Sequence, residues 1–179
     1  VFHLWGQHYT YANRYPEAFS RFQKENYEVR EHADVIAHYD NANLYNDYVL
    51  NEIINKFEGD DALLVYFSDH GEEVYELGYM GHGTAMTSED FRYQLRVPMF
   101  IWMSDKFMER HNQIVKKIKD RKAWPLITSD IGHFLIDVAG IETESFDSTR
   151  SFINSQYDKE KPRLVMGGWD YDKHVEALR

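Results

Sequence analysis

The chain contains no cysteine in 179 residues. That excludes a disulfide framework and any thiolate metal site, so an ion would have to be held by His, Asp and Glu. Basic residues are also scarce: 20 Lys and Arg stand against 30 Asp and Glu, for a net charge of -10. A surface of that sign argues against nucleic-acid binding and against a basic membrane-surface face. No apolar run approaches the roughly 18 residues that a membrane-crossing helix needs, and no signal peptide is visible. There is no internal repeat, low-complexity tract or linker, and at this length one domain is the natural expectation.

What is present points to a packed core. Hydrophobic residues make up 43% and aromatics 16% of the chain, too many for disorder. The chain opens at Val1, without Met, directly in the apolar segment Val1-Phe2-His3-Leu4-Trp5. The expectation is a fragment of a longer protein.

The organising stretch is Ala62-Leu63-Leu64-Val65-Tyr66-Phe67-Ser68-Asp69-His70-Gly71-Glu72. Its apolar run reads as a buried strand that stops at Ser68. Asp69 and His70 follow it, with Gly71 allowing a sharp turn. Open α/β sheets present ligands at strand C-termini in this way, and a carboxylate beside an imidazole suits zinc or another divalent ion. Taken alone, the dipeptide reads better as a helix cap beside an ordinary surface histidine. Two further histidines in glycine-flanked turns, Gly6-Gln7-His8 and Gly81-His82-Gly83, favour the metal reading.

Around this stretch the elements alternate. Val1 to Trp5 reads as a strand, and Pro16 opens a short helix through Phe19 and Phe22. Gln23 to Glu31 reads as a loop. Val35, Tyr39, Ala42, Tyr45, Val49, Ile53 and Phe57 recur at helical spacing, so a long helix runs to Gly59. Glu72 to Tyr93 has no period and reads as a long loop, a class that is often functional. Val97 to Met103 reads as a second strand. Ser104 caps a helix that turns Phe107, Ile114, Val115 and Ile118 inward. Ser129 caps another, with Ile131, Phe134, Leu135 and Val138 on one face and Gly140 as its stop. A short strand is expected at Arg163 to Met166. The class is α/β.

A catalytic zinc uses three or more protein ligands. Asp69 and His70 supply two, so the rest must come from His8, His82, Glu72 or sequence outside the chain. If the strands of Leu4 and Val65 run parallel, His8, Asp69 and His70 meet at one sheet end. The remaining candidates have plainer readings. His3 reads as a core or near-site histidine, and His133 as packing. His32, His38, His111 and His174 read as solvated, as do the charges of Glu72 and Glu73. Arg14 suits a phosphate or a carbonyl.

These blocks carry a resemblance. Phe2-His3-Leu4-Trp5-Gly6-Gln7-His8 with Arg14-Tyr15-Pro16, Tyr39-Asp40-Asn41-Ala42-Asn43-Leu44-Tyr45-Asn46-Asp47, Ser68-Asp69-His70-Gly71-Glu72 and Gly81-His82-Gly83 resemble successive blocks of the sulfatase-type phosphoethanolamine transferases. Val97-Pro98-Met99, Thr128-Ser129-Asp130-Ile131 and Ala139-Gly140-Ile141 match later blocks. Asp147-Ser148-Thr149-Arg150-Ser151 resembles the branch directed at the lipopolysaccharide core heptose. The order is kept over nearly the whole chain.

The resemblance implies an alkaline-phosphatase-like α/β fold, with residues 1–179 as the C-terminal portion of a single catalytic domain. It implies a Gram-negative inner-membrane anchor outside the chain and a periplasmic catalytic domain. It further implies zinc (one ion or two) and a threonine nucleophile that takes phosphoethanolamine from phosphatidylethanolamine and passes it to a sugar of the lipopolysaccharide core or lipid A. Asp69 and His70 fall on the paired zinc ligands. His8 and His82 fall on histidines near the phosphoethanolamine group, where they would contact the phosphoryl group, move a proton or hold a second metal. Gln7 and Tyr9 flank His8 where lipid A-directed members have Ser and Gly. In the family the resemblance points to, the nucleophilic threonine and the first acidic zinc ligand precede the point where this chain begins. Thr10, Thr84, Thr87, Thr128, Thr143 and Thr149 do not fall on the nucleophile's position, so the isolated chain is expected to be inactive and to bind zinc weakly. The enzyme alternative is a sulfatase or phosphodiesterase that passes the group to water. The other alternative is a non-catalytic envelope binding module. A sheet cut at this point would expose apolar edges, so a fragment dimer is expected.

Overall fold

A computed structural model describes the chain except residues 29–30, 84–86, 166–167 and 177–179. Helices and short sheets alternate, as expected of an α/β chain, and they fall into two compact units. The first comprises residues 1–59 and 74–79, the second residues 60–73 and 80–179.

The first unit is built on α1 (Ala33–Phe57). The helix is as expected, but of its expected face only Ala42 is fully buried, with Val35, Tyr39, Tyr45, Val49, Ile53 and Phe57 half-buried, while Ala33, Ala37 and Leu50 join Ala42 in the buried set. Small residues on that face let the preceding loop lie close. Tyr11 packs edge-on to Tyr39 at 5.1 Å, and Phe19 to Tyr45 at 4.9 Å. Asn41, buried in the same helix, satisfies the loop's backbone. Its Oδ1 accepts from the Arg21 and Phe22 amides at 2.7 and 2.8 Å, and its Nδ2 donates to the Phe22 carbonyl at 2.9 Å. Residues 17–19 form a 3-10 turn after Pro16, and residues 24–26 another where a plain loop was expected.

Val1 to Trp5 is not a strand: it has no ladder partner among the described residues, and Phe2, His3 and Trp5 are exposed. Apolar composition alone does not make a strand without a neighbour to bond. The parallel pairing of Leu4 with Val65 is therefore absent. His3 is a surface residue, not a core one.

In the second unit, β1 (Leu63–Phe67) pairs antiparallel with β4 (Met99–Met103), Val65 opposite Ile101. Leu63, Val65, Ile101 and Met103 turn one face onto a core of Ile118, Phe134, Phe152 and Ile153. Phe100 lies exposed on the other face, and Phe67, on the same side of the pleat as Leu63 and Val65, is exposed at the strand's end. No residue of β1 is fully buried, so it is not the buried strand expected. Ser104 ends β4 and starts α3 (Asp105–Arg110). Its hydroxyl accepts from the Phe107 amide at 3.1 Å, as a cap should.

The helix expected after Ser104 is two helices. The chain breaks at His111 and resumes as α4 (Asn112–Arg121), which buries Val115 and Ile118. The last core helix, α5 (Ile131–Val138), follows a 3-10 turn over Thr128–Asp130, so Ser129 is not its cap, and Leu135 lies exposed. Gly140 stops it at φ +62°, a left-handed position that suits glycine. Asp130 is instead an anchor: buried, it pairs with the Arg150 guanidinium at 2.6 Å. A short antiparallel pair, β5 (Leu164–Val165) with β6 (Trp169–Asp170), precedes α6 (Tyr171–Glu176). Met166, the expected end of β5, lies outside the described residues.

The stretch from Glu72 to Tyr93 is not one loop. It holds two short strands, β2 (Glu73–Val74) and β3 (Met80–Gly81), and a helix, α2 (Ser88–Gln94). Thr87 caps α2 reciprocally with Asp90. That Thr-x-x-Asp spacing is a capping box legible in the sequence.

Candidate metal centre

Strand β1 ends at Phe67, and the chain turns at once. The Ser68 hydroxyl donates to the His70 carbonyl at 2.7 Å, and the His70 amide donates to Asp69 Oδ1 at 3.1 Å. This local bonding sets the backbone that carries His70 and Glu72. His82 arrives on the loop after β3.

The three side chains meet. Donor atoms of His70, Glu72 and His82 all lie within 4.8 Å of one another. The two imidazole rings are 3.7 Å apart, tilted by 30°. His82 Nδ1 is 3.0 Å from Glu72 Oε2. His70 Nδ1 lies 2.8 Å from the Gly71 carbonyl, so that nitrogen carries the proton and Nε2 keeps its lone pair.

Two imidazoles and a carboxylate are a donor set that zinc takes in catalytic sites, with one position left for water or substrate. The residues fit the ion by chemistry and by clustering. Glu72 is no solvated charge: its side chain is only 14% exposed, against 45% for His82 and 38% for His70. The neighbouring Glu73, also expected at the surface, is fully buried.

Asp69 sits beside the cluster. Its side chain is 84% exposed, and Oδ1 lies 3.8 Å from His70 Nε2. His8 belongs to the first unit. Its amide donates to the Trp5 carbonyl at 2.9 Å, and its ring packs edge-on to Trp5 at 5.2 Å. Arg14 fixes that turn, donating to the carbonyls of His8 and Tyr9 at 3.0 and 2.9 Å while lying over the Trp5 ring. Of the two readings for Arg14, the carbonyl one holds.

The other histidines are engaged more often than solvated. His38 pairs with the Tyr15 hydroxyl at 2.6 Å, His32 stacks on Tyr75 at 3.8 Å, and His111 pairs with Asp61 at 3.2 Å. His133 Nδ1 accepts from the Asp147 amide at 3.1 Å, a hydrogen-bonding role more than a packing one. The side chain of His174 and all of Thr84 lie outside the described residues.

The family model described as Sulfatase matches residues 1–141. Among curated proteins, the chain is 36% identical over 184 residues to phosphoethanolamine transferase EptC of Escherichia coli (strain K12), covering 98% of this chain and 30% of that protein. It is 35% identical over 112 residues to Kdo(2)-lipid A phosphoethanolamine 7''-transferase of the same strain, covering 61% of this chain and 20% of that protein. Among solved structures, the C-terminal periplasmic domain of Escherichia coli EptC in complex with Zn matches with a TM-score of 0.76 at 30% identity, covering 93% of this chain and 49% of that one. The chain thus spans under a third of the length of these curated relatives and about half of the crystallised domain.

Proposed function

Because this chain belongs to the sulfatase family, we propose that it forms part of a zinc-assisted phosphoethanolamine transferase acting on a lipopolysaccharide sugar. The observation that carries the proposal is the cluster of His70 and Glu72, just beyond β1, with His82, after β3, in a chain similar over 98% of its length to a phosphoethanolamine transferase. His70 is the anchor of the metal site. The family resemblance pairs it with Asp69, and the geometry pairs it with Glu72 and His82. When bound, zinc supplies positive charge to phosphoryl oxygens and lowers the pKa of a hydroxyl at the open position.

The chain's own residues do the rest. The Gly71 carbonyl accepts a hydrogen bond from His70 Nδ1 and so leaves the Nε2 lone pair for the ion. A second reading of His82 rests on its 3.0 Å contact with Glu72. A carboxylate on Nδ1 orients the ring and leaves Nε2 to bind a phosphoryl oxygen or hand a proton to the leaving group. The two readings separate on one measurement. As a ligand, His82→Ala loses zinc affinity; as a proton carrier, it keeps zinc and loses transfer. For His8 the family resemblance supports a phosphoryl-group contact or a proton transfer.

In the whole protein, phosphatidylethanolamine is the donor, a threonine outside these residues is the nucleophile, and the acceptor is a lipopolysaccharide core or lipid A sugar. The domain lies in the periplasm on an inner-membrane anchor. Phosphoryl transfer of this kind needs an activated hydroxyl and charge on the equatorial oxygens more than any special covalent chemistry.

The test uses the complete soluble catalytic domain of the parent protein with zinc and a phosphatidylethanolamine analogue. Mass spectrometry is expected to find a phosphoethanolamine adduct on a threonine, absent in His70→Ala, and the group transferred to lipopolysaccharide. Release of the group to water with no adduct would instead mark a hydrolase of the same family. Neither activity would leave an envelope binding module.

A further inference from the structure

The metal cluster is assembled from two loops, and something must hold them in register. His70 and Glu72 come from the turn after β1, and His82 from the turn after β3. Both turns meet one residue, Gln94, the last of α2. Gln94 is 3% exposed. Its backbone carbonyl accepts from the Gly71 amide at 2.7 Å, between the two ligand candidates of the first turn. Its side-chain Oε1 accepts from the Gly83 amide at 2.7 Å, directly after His82. A main-chain N–H can only face the amide oxygen, so the Gln94 side chain has one orientation.

The contact is also tight. A β-carbon on Gly71 would stand 2.0 Å from the Tyr93 carbonyl oxygen, so the first turn is pressed against the end of α2 with no slack. One buried residue therefore fixes the backbone on both sides of the cluster, while touching none of the donor atoms by any of these bonds.

We propose that Gln94 is the positioning residue of the site, bridging the Gly71 and Gly83 amides so that His82 is held against His70 and Glu72. The proposal rests on the zinc reading above. Its chemistry asks for a side chain with an acceptor oxygen at glutamine's reach. Glu provides one, Leu has the bulk without the acceptor, and Asn has the acceptor one methylene too short.

The test is zinc binding by the 179-residue chain, read by competition titration and by the absorption spectrum of the cobalt form, with the melting temperature of each metal-free variant as a check on folding. Gln94→Leu and Gln94→Asn are expected to weaken zinc about 10–100-fold, the usual loss when a residue supporting a metal ligand is removed. Gln94→Glu is expected to keep the affinity and the cobalt spectrum. In a His82→Ala background, Gln94→Leu is expected to add little, because the ligand it positions is already gone. Unchanged affinity in Gln94→Leu, with His82→Ala weakened, would overturn the role of Gln94 alone. Unchanged affinity in both His70→Ala and His82→Ala would overturn the metal centre and this proposal with it. If Gln94→Leu does not fold, the contrast between Gln94→Asn and Gln94→Glu decides the matter.

Discussion

At Gly71 the constraint is space, not backbone angle. Its backbone sits at an ordinary φ, yet an added β-carbon would lie 2.0 Å from Tyr93 O and 3.0 Å from Gln94 C, both backbone atoms that cannot swing aside. Gly71→Ala must push α2 away from the turn, at a cost of about 1–3 kcal/mol for an overpacked contact. Chemical denaturation is expected to show that loss, and zinc titration a weaker site. Wild-type values for both would mean that the two segments do not press together as described. Asp69, His70 and His82 were legible as candidates because histidines in glycine-flanked turns after a strand form a pattern. Gln94 was not: a glutamine between an aromatic and a leucine carries no signal until the helix that ends there is known. Glu72 was legible only as an option, since nothing in the sequence told a ligand carboxylate from a solvated one.

At the scale of elements, the join of β4 to α3 carries more than a cap. The Ser104 hydroxyl accepts from the Phe107 amide and from the Ala62 amide, both at 3.1 Å, and donates to the Asp60 carbonyl at 2.6 Å. One buried side chain thus starts α3 and pins the chain where it enters β1. Ser104→Ala is expected to cost about 2 kcal/mol, a lost cap together with orphaned buried partners. A loss of a few tenths, measured by denaturant unfolding, would refute the double role. The same scale shows where sequence patterns sufficed. The apolar spacing of α1 and the cap at Ser104 each follow from one rule. The break at His111 between α3 and α4 and the absent strand at Val1 to Trp5 follow from neighbours, which periodicity does not encode.

At the scale of the whole molecule, the excess of acid makes stability depend on pH through specific carboxylates. The Arg163 guanidinium donates to Asp172 and, against partial burial, holds its carboxyl below the usual 3.8. The side-chain and backbone donors of Thr149 do the same for Asp147. A carboxyl with a depressed folded pKa adds stability above its unfolded value and loses it as the pH falls through the folded one. Stability is therefore expected to decline as pH drops below about 4, with a shallower decline in Asp172→Asn. An identical acid slope in that variant would remove Asp172 from the account.

The measurement that tests the central claim most directly is anomalous diffraction at the zinc edge from crystals of this chain grown with zinc. The account predicts a peak bonded to His70 and shared with Glu72 and His82, about 2.0–2.2 Å from each donor. A peak on Asp69 without Glu72 and His82, or none at His70, would contradict it.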